Sequence, residues 1–184
     1  MKNINLINLT VLNCTYNGVF INGVTGLNII SCDFNESGSS VVPGPKLQHN
    51  LLITHCTNIN VKDSRLDTSP YGSGLAFDHC HFAKVTNCEV TRNAYYGILI
   101  AESSNISMVG NLIEANDRSG VMVEFLYKGS EFIEVKSNQI QYNNGYGIES
   151  YAARMIAVSS NTCTGNGNSE AQQKISEEKF IIMQ

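Results

Sequence analysis

One eight-residue pattern recurs seven times along this chain: apolar, any, apolar, any, any, then Cys, Asn or Ser, any, apolar. It fits Leu9, Val11, Cys14, Tyr16; Leu27, Ile29, Cys32, Phe34; Ile59, Val61, Ser64, Leu66; and Ala83, Val85, Cys88, Val90. The remaining copies are Ile106, Met108, Asn111, Ile113; Ile133, Val135, Asn138, Ile140; and Ile156, Val158, Asn161, Cys163. The anchors at 14, 32, 64, 88, 111, 138 and 161 are separated by 18, 32, 24, 23, 27 and 23 residues. A period in this range marks a solenoid, where one unit cannot bury its apolar face alone and its neighbours complete the core.

A second element follows each later anchor. Five positions on stands a small residue or Asn (Ser69, Asn93, Asn116, Asn143, Asn166), and then a Gly opens an alternating apolar strand. These strands are Gly74 with Leu75 and Phe77, Gly97 with Ile98 and Ile100, Gly120 with Val121 and Val123, and Gly147 with Ile148; Gly18 with Val19 and Ile21 is a shortened copy. Three short strands in about 23 residues leave no room for a crossover helix. With 22 Asn, 15 Gly and 15% charged residues, the chain also lacks the charged outer faces that surface helices use. It must coil, each rung bonding its backbone to the rungs above and below at about 4.8 Å. Like residues then stack in columns: apolar columns fill the core, and the Asn/Cys/Ser anchors line a bend where amides bond one another or turn carbonyls.

The six cysteines follow this period and lack metal-ligand spacing. Cys14 and Cys32 fall in the anchor column and Cys56 and Cys80 form another; in-register stacking rarely gives a disulfide dihedral, so reduced, buried thiols are expected. The formal charge of -4 offers no basic field for nucleic acid, and apolar runs of four or five residues cannot span a bilayer. The opening Met1 and Lys2 run directly into Ile4, Leu6 and Ile7 without the layout of a secretory signal, so either the protein stays inside or the chain is a piece of a longer precursor; the lack of a capping element before the first repeat favours the second. Two departures shape the surface. The 32-residue step holds a loop at Ser37 to Pro45, and the period is lost in residues 167–184, which form either a cap over the open end or a tail after a coiled domain of residues 1–166.

The run Gly-Ile-Leu-Ile-Ala-Glu-Ser-Ser-Asn-Ile-Ser-Met-Val-Gly-Asn-Leu-Ile-Glu-Ala-Asn, residues 97–116, resembles the repeat of right-handed parallel β-helix proteins of the pectate-lyase-like superfamily. The resemblance covers about residues 4–166. It implies an all-β chain, a single-stranded right-handed parallel β-helix of about seven coils, roughly 34 Å long by rung spacing. The superfamily includes polysaccharide lyases, pectin hydrolases, alginate epimerases, periplasmic copper-pathway proteins and phage tailspikes, so the resemblance does not choose an activity. The alginate epimerases carry Asp-Pro-His-Asp at the Gly-led strand. Here Gly74-Leu75-Ala76-Phe77-Asp78-His79 has Ala76 at the first Asp position, with Asp78 and His79 shifted. The paired Asp-Asp of pectin hydrolases and the Arg motif of pectate lyases are also missing.

In families of this fold the substrate lies along a sheet built from one strand of each rung, and the Gly-led strands resemble that sheet. By alternation its outward residues are Ala76, Asp78, Leu99, Ala101, Met122, Glu124, Glu149 and Tyr151, with Leu52 and Thr54 one rung earlier. His55, His79 and Glu102 follow the strands at equivalent places; Tyr71, Tyr95, Tyr96 and Tyr146 precede them. Sugar faces need rings and the changed bond needs acid or base groups, so Asp78, His79 and Glu124 are the catalytic candidates and Tyr95, Tyr96, Tyr146, Glu149, Tyr151 and Arg92 the substrate-binding ones. Asp78 and Glu124 fall two rungs apart, near the wide spacing of inverting hydrolysis. In elimination or epimerisation, His79 or Tyr96 takes the proton and Arg92 or Lys128 neutralises the uronate anion. No metal or cofactor is expected, because His79 and His81 lack companions and no calcium-type carboxylate cluster is present.

The expected function is therefore a carbohydrate-active protein, extracellular or periplasmic, whose partner is an extended polysaccharide. The competing reading is a non-catalytic, tailspike-like shaft in which flanking coils or a homo-oligomer cover the outer aliphatics Leu52, Leu99 and Met122.

Overall fold

A computed structural model describes residues 1–38, 48–124, 129–151 and 153–167. The chain coils as its period predicts. The first turn is β1 (Lys2–Ile7), β2 (Thr10–Leu12) and β3 (Val19–Asn22), and the second is β4 (Thr25–Ile30), β5 (Asp33–Asn35) and β6 (Leu51–Thr54). The third and fourth are β7 (Thr57–Lys62), β8 (Arg65–Asp67), β9 (Leu75–Asp78) and β10 (His81–Thr86), β11 (Glu89–Thr91), β12 (Ile98–Ala101). The fifth and sixth are β13 (Ser104–Val109), β14 (Leu112–Glu114), β15 (Val121–Glu124) and β16 (Glu131–Lys136), β17 (Gln139–Gln141), β18 (Ile148–Ser150). A seventh turn contributes β19 (Arg154–Ser159) and β20 (Thr162–Thr164).

Stacked turns make three parallel sheets: sheet A from the first strand of each turn, sheet B from the second and sheet C from the third, with seven, seven and six strands. Register along sheet A runs Lys2, Thr25, Thr57, His81, Ser104, Glu131, Arg154, which are steps of 23, 32, 24, 23, 27 and 23 residues. The first step is therefore 23, and the 18 read from the sequence is corrected. Leu9, Val11, Cys14 and Tyr16 satisfy the template, but Val11 pairs with Phe34 in sheet B and the Cys14 amide donates to Ser37 Oγ at 3.4 Å. Cys14 thus belongs to the corner after sheet B and not to the Cys32 column. Both corners end a short strand with the same polar-anchor chemistry, so one pattern describes two places.

Each corner is built the same way. A residue with left-handed φ turns the chain, and the next side chain points inward, where Ser, Asn or Cys can accept from the backbone of the preceding rung. Between sheets A and B the turning residues are Ser31, Asp63, Asn87, Gly110, Ser137 and Ser160; the anchors after them are Cys32, Ser64, Cys88, Asn111, Asn138 and Asn161. Asn111 N donates to Asn138 Oδ1 and Asn138 N to Asn161 Oδ1, both at 2.9 Å, and each Asn Nδ2 reaches a carbonyl below as well as the neighbouring amide. The column Asn93, Asn116, Asn143, Asn166 repeats this after sheet B. An amide anchor satisfies a buried donor and a buried acceptor together, which explains its recurrence.

The third corner holds Val24, Cys56, Cys80, Ser103, Ser130 and Ala153. Here the Cys80 amide donates to Ser103 Oγ at 2.9 Å, and the Cys56 and Cys80 thiols donate to Thr54 O and Ile53 O. None of the six cysteines forms a disulfide. Burial pushes the Cys80 thiol up to about 12 and Cys88 up to about 11, so both behave as small core groups.

The core runs along the axis as Leu27, Ile29, Phe34, Ile53, Leu66, Phe77, Ile100 and Val123, all fully buried. The Gly that opens five of the six sheet C strands, all but β6 after Asn50, has a steric cause: a Cβ at Gly97 would lie 2.6 Å from Gly120 O and 2.7 Å from Ile113 Cγ2. The loop expected at 37–45 begins at Ser37 and Gly38, and the rest of it lies outside the described residues, as does the cap or tail beyond Gly167.

His49, just before β6, is 5% exposed and its Nδ1 accepts from the Ser73 amide at 3.0 Å. Burial pulls its pKa from 6.5 down to about 4. The unfolded chain therefore takes up a proton near pH 6.5 that the folded chain refuses until about pH 4. This contribution to stability is complete above pH 6.5 and shrinks as pH falls toward 4. Urea unfolding at pH 7 and pH 5 should show a loss of ~2 kcal/mol that His49→Gln abolishes; an unchanged pH slope in the variant rejects the assignment.

Candidate functional site

The outer face of sheet C presents two columns. Phe20, Leu52, Ala76, Leu99, Met122 and Glu149 form one, and Asn22, Thr54, Asp78, Ala101 and Glu124 the other. Asp78 and Glu124 are thus separated by the Ala101 rung, about 9.6 Å between backbones. His79 follows Asp78 at a left-handed corner position, φ 52, which throws its ring outward. Its Nδ1 lies 2.7 Å from Asp78 Oδ1. A carboxylate can only accept, so Nδ1 carries the proton and Nε2 is left as the basic nitrogen of the neutral ring. The rings of His55 and His79, one rung apart, stack at 4.9 Å and 8°. Burial raises the Glu124 carboxyl above its ordinary value, which favours the protonated acid. The face therefore holds an Asp–His pair at one rung and, two rungs on, a carboxyl that burial shifts toward its acid form.

The aromatic rim sits in the turns that precede the Gly-led strands. Tyr95 and Tyr96 meet edge to face at 4.8 Å, and Tyr96 lies down on Ala76, Leu99 and Met122. That changes two expectations. Leu99 and Met122 are 8% and 2% exposed, already covered within the chain, so they do not need an oligomer to hide them. Tyr96 is a floor residue; burial first, then Tyr95 and Glu149, push its phenol up to about 12, which disfavours its phenolate form. Tyr95 remains half-exposed and carries the Arg118 guanidinium over its ring at 4.2 Å. Beside them, Glu149 accepts from Ser119 Oγ and, at 2.8 Å, from the hydroxyl of the exposed Tyr151. The half-buried Tyr146 stands in the Ser119 column, its amide donating to Ser119 Oγ at 3.0 Å.

Other candidates lie apart. Arg92 is the left-handed corner residue after β11, where it and Arg65 pair with the buried Asp67. Burial alone would raise the Asp67 carboxyl, but hydrogen bonds from Arg92, Thr91 and Thr68 and the Arg92 charge hold it below its usual value. His81 begins β10 on sheet A, with Nδ1 2.8 Å from Ser104 Oγ. Lys128 lies outside the described residues. Arg118 and Ser119 were missed. The signal for them was alignment: Arg118, Ser119, Gly120 stand one 23-residue step beyond Tyr95, Tyr96, Gly97, and the Arg118 amide donates to Tyr95 O. Two surface hollows of about 370 and 410 Å³ lie elsewhere, over Phe132 and Met155 on sheet A and over Asp63 and Arg65 at the corner between sheets A and B.

The family model described as the right handed beta helix region matches residues 2–163. The chain belongs to this β-helix family. No curated protein matches it by sequence. Among solved structures, this β-helix is similar to two mutants of the periplasmic alginate epimerase AlgG. One shares 15% identity with a TM-score of 0.66, covering 90% of this chain and 45% of that one. The other shares 19% with a TM-score of 0.61, covering 82% and 33%. The A-module of the mannuronan C-5 epimerase AlgE4 from Azotobacter vinelandii shares 12% with a TM-score of 0.53, covering 90% and 55%. At these identities the likeness is one of fold, and the β-helix spans from a third to just over half the length of those chains.

Proposed function

We propose that this β-helix binds an extended glycan along the outer face of sheet C and cleaves it by acid and base catalysis. One observation carries the reading: the Asp78 and His79 pair and the Glu124 carboxyl share a column two rungs apart, beside an apolar floor of Ala76, Leu99, Met122 and Tyr96. The half-exposed Tyr95 and Tyr146 and the exposed Tyr151 offer ring faces to sugars. In the reaction, His79 Nε2 or the Asp78 carboxylate takes a proton from water as its oxygen bonds the anomeric carbon. The glycosidic carbon–oxygen bond breaks, and the leaving oxygen takes the Glu124 proton. The wide spacing of the two groups leaves room for that water, which fits inversion. We attach an extracellular or periplasmic location to this reading, supported by AlgG being named a periplasmic enzyme.

Isothermal titration against a panel of glycan oligomers, with reducing ends scored, tests the proposal. Removing one exposed ring, in Tyr95→Ala or Tyr151→Ala, is expected to weaken binding roughly fivefold, equivalent to ~1 kcal/mol of aromatic contact. A panel with neither binding nor new reducing ends removes the glycan reading.

A further inference from the structure

The charges are divided among the sheets. Lys2, Lys62, Lys84, Lys136 and Arg154 lie on sheet A, Arg65 on sheet B and Arg92 at the corner after it, the last two pairing with Asp67. Among the described residues the strands of sheet C carry no Lys or Arg; their ionisable side chains are Asp78, Glu124 and Glu149, with His55, His79 and Glu102 at the corners beyond β6, β9 and β12. Among the described residues Arg118 is the one cation on the rim of this face, and its guanidinium is engaged with the Tyr95 ring. The acids sit beside the tyrosines and not on a separate surface: Tyr96 is close enough to Glu149 and Glu124 to be shifted by both.

From this arrangement, and resting on the glycan reading above, we infer that the sheet C face takes a glycan without carboxylates and binds amine-bearing sugars tighter than their acetylated counterparts. A chain laid along the face passes Asp78, then Glu124 two rungs on in the same column, and on the next rung Glu149 in the adjoining column. A uronate beside Asp78 or Glu149 brings a second negative charge against the first along an apolar floor, and Glu124 adds to the repulsion only once its proton has left. An ammonium at the same place meets an acceptor: Glu149 is already oriented by Ser119 and Tyr151, and Asp78 by His79. The uncharged N-acetylated sugar gains neither attraction nor repulsion. The alginate epimerases named above share the coil, and in this chain Ala76 stands where their motif carries an acid at the Gly-led strand, so the acids of this face stand at other positions.

Three oligosaccharides of equal length and linkage decide the matter by isothermal titration of the whole chain: glucosamine, N-acetylglucosamine and mannuronate oligomers. The expected order is amine, then acetylated, then uronate, with the ends of the series separated by about tenfold or more at low salt and drawn together in about 1 M salt. The variant E149Q removes the charge, keeps one of the two acceptor oxygens, and is expected to bring the amine and uronate affinities about threefold closer to each other. Should that variant not fold, the salt dependence of the unaltered protein decides, because only a charge-based order collapses with ionic strength. Uronate binding as tight as the amine, with the glycan reading intact, overturns this inference alone. Silence toward all three oligomers overturns the glycan reading and this inference with it.

Discussion

Replacing Asn116 with leucine is expected to lower the free energy of unfolding by about 3–5 kcal/mol in a urea titration, far more than a typical polar-to-apolar change. Asn116 is fully buried at the corner after sheet B. Its Oδ1 accepts from the Asn93 amide at 3.1 Å and from Asn93 Nδ2 at 2.9 Å, while its Nδ2 donates to Val90 O and to Asn143 Oδ1. Leucine has a similar size but leaves the Asn93 amide, the Val90 carbonyl and the Asn143 carbonyl oxygen without this partner in a dry corner. Each orphaned group costs about 1–3 kcal/mol. Because each rung contacts only its neighbours, the loss also weakens the coupling between the two halves of the coil and should lower the slope of the transition. Asn60→Ala is the control. Asn60 lies half-buried on the outer face of sheet A, with its Nδ2 3.4 Å from Asn28 Oδ1, and its loss is expected to stay within about 0.5 kcal/mol. Equal effects at the two sites would show that the inner amide columns do not hold the turns together.

Glu124→Gln is expected to slow glycan cleavage by about 10²–10⁴-fold with binding almost unchanged, the signature of a lost proton donor. The amide keeps the size and hydrogen-bonding capacity of the carboxyl but has no proton to give. The pH profile supplies a second readout. A general acid works only while protonated, so activity should fall as pH rises through the pKa of Glu124, which burial holds above the ordinary carboxylate value. That falling limb should move or vanish in the variant. Reducing-end release measured across pH provides both numbers. Undiminished turnover in Glu124→Gln, or an unmoved alkaline limb, assigns the proton to another group.

The legibility of this protein in its sequence follows from its being quasi-one-dimensional. Asn111, Asn138 and Asn161 could be placed in one file because a coil converts a period into contact, and the inward faces of the Gly-led strands could be listed by alternation. The first turn could not be assigned in the same way, because the corners after sheets A and B use the same anchor chemistry and Leu9 to Tyr16 satisfies the pattern in the wrong place. The register of β1 with β4 and of β2 with β5 resolves it. The site was half visible. Asp78, His79 and Glu124 lie on the predicted face because side-chain direction in a strand is set by parity alone. What the turn residues do was out of reach, because a loop side chain can swing to either side.

The amino-acid sequence by itself determined the coil, its three strands per turn, the stacked amide and thiol corners, and the outward column that carries Asp78 and Glu124, all from local alternation repeated at a near-constant step. Only the tertiary structure decided that Tyr96 lies down over Leu99 and Met122, that Arg118 caps Tyr95, and that Arg92 turns to Asp67 on sheet B. Those outcomes depend on which neighbours a long side chain can reach across rungs, and parity carries no information about that.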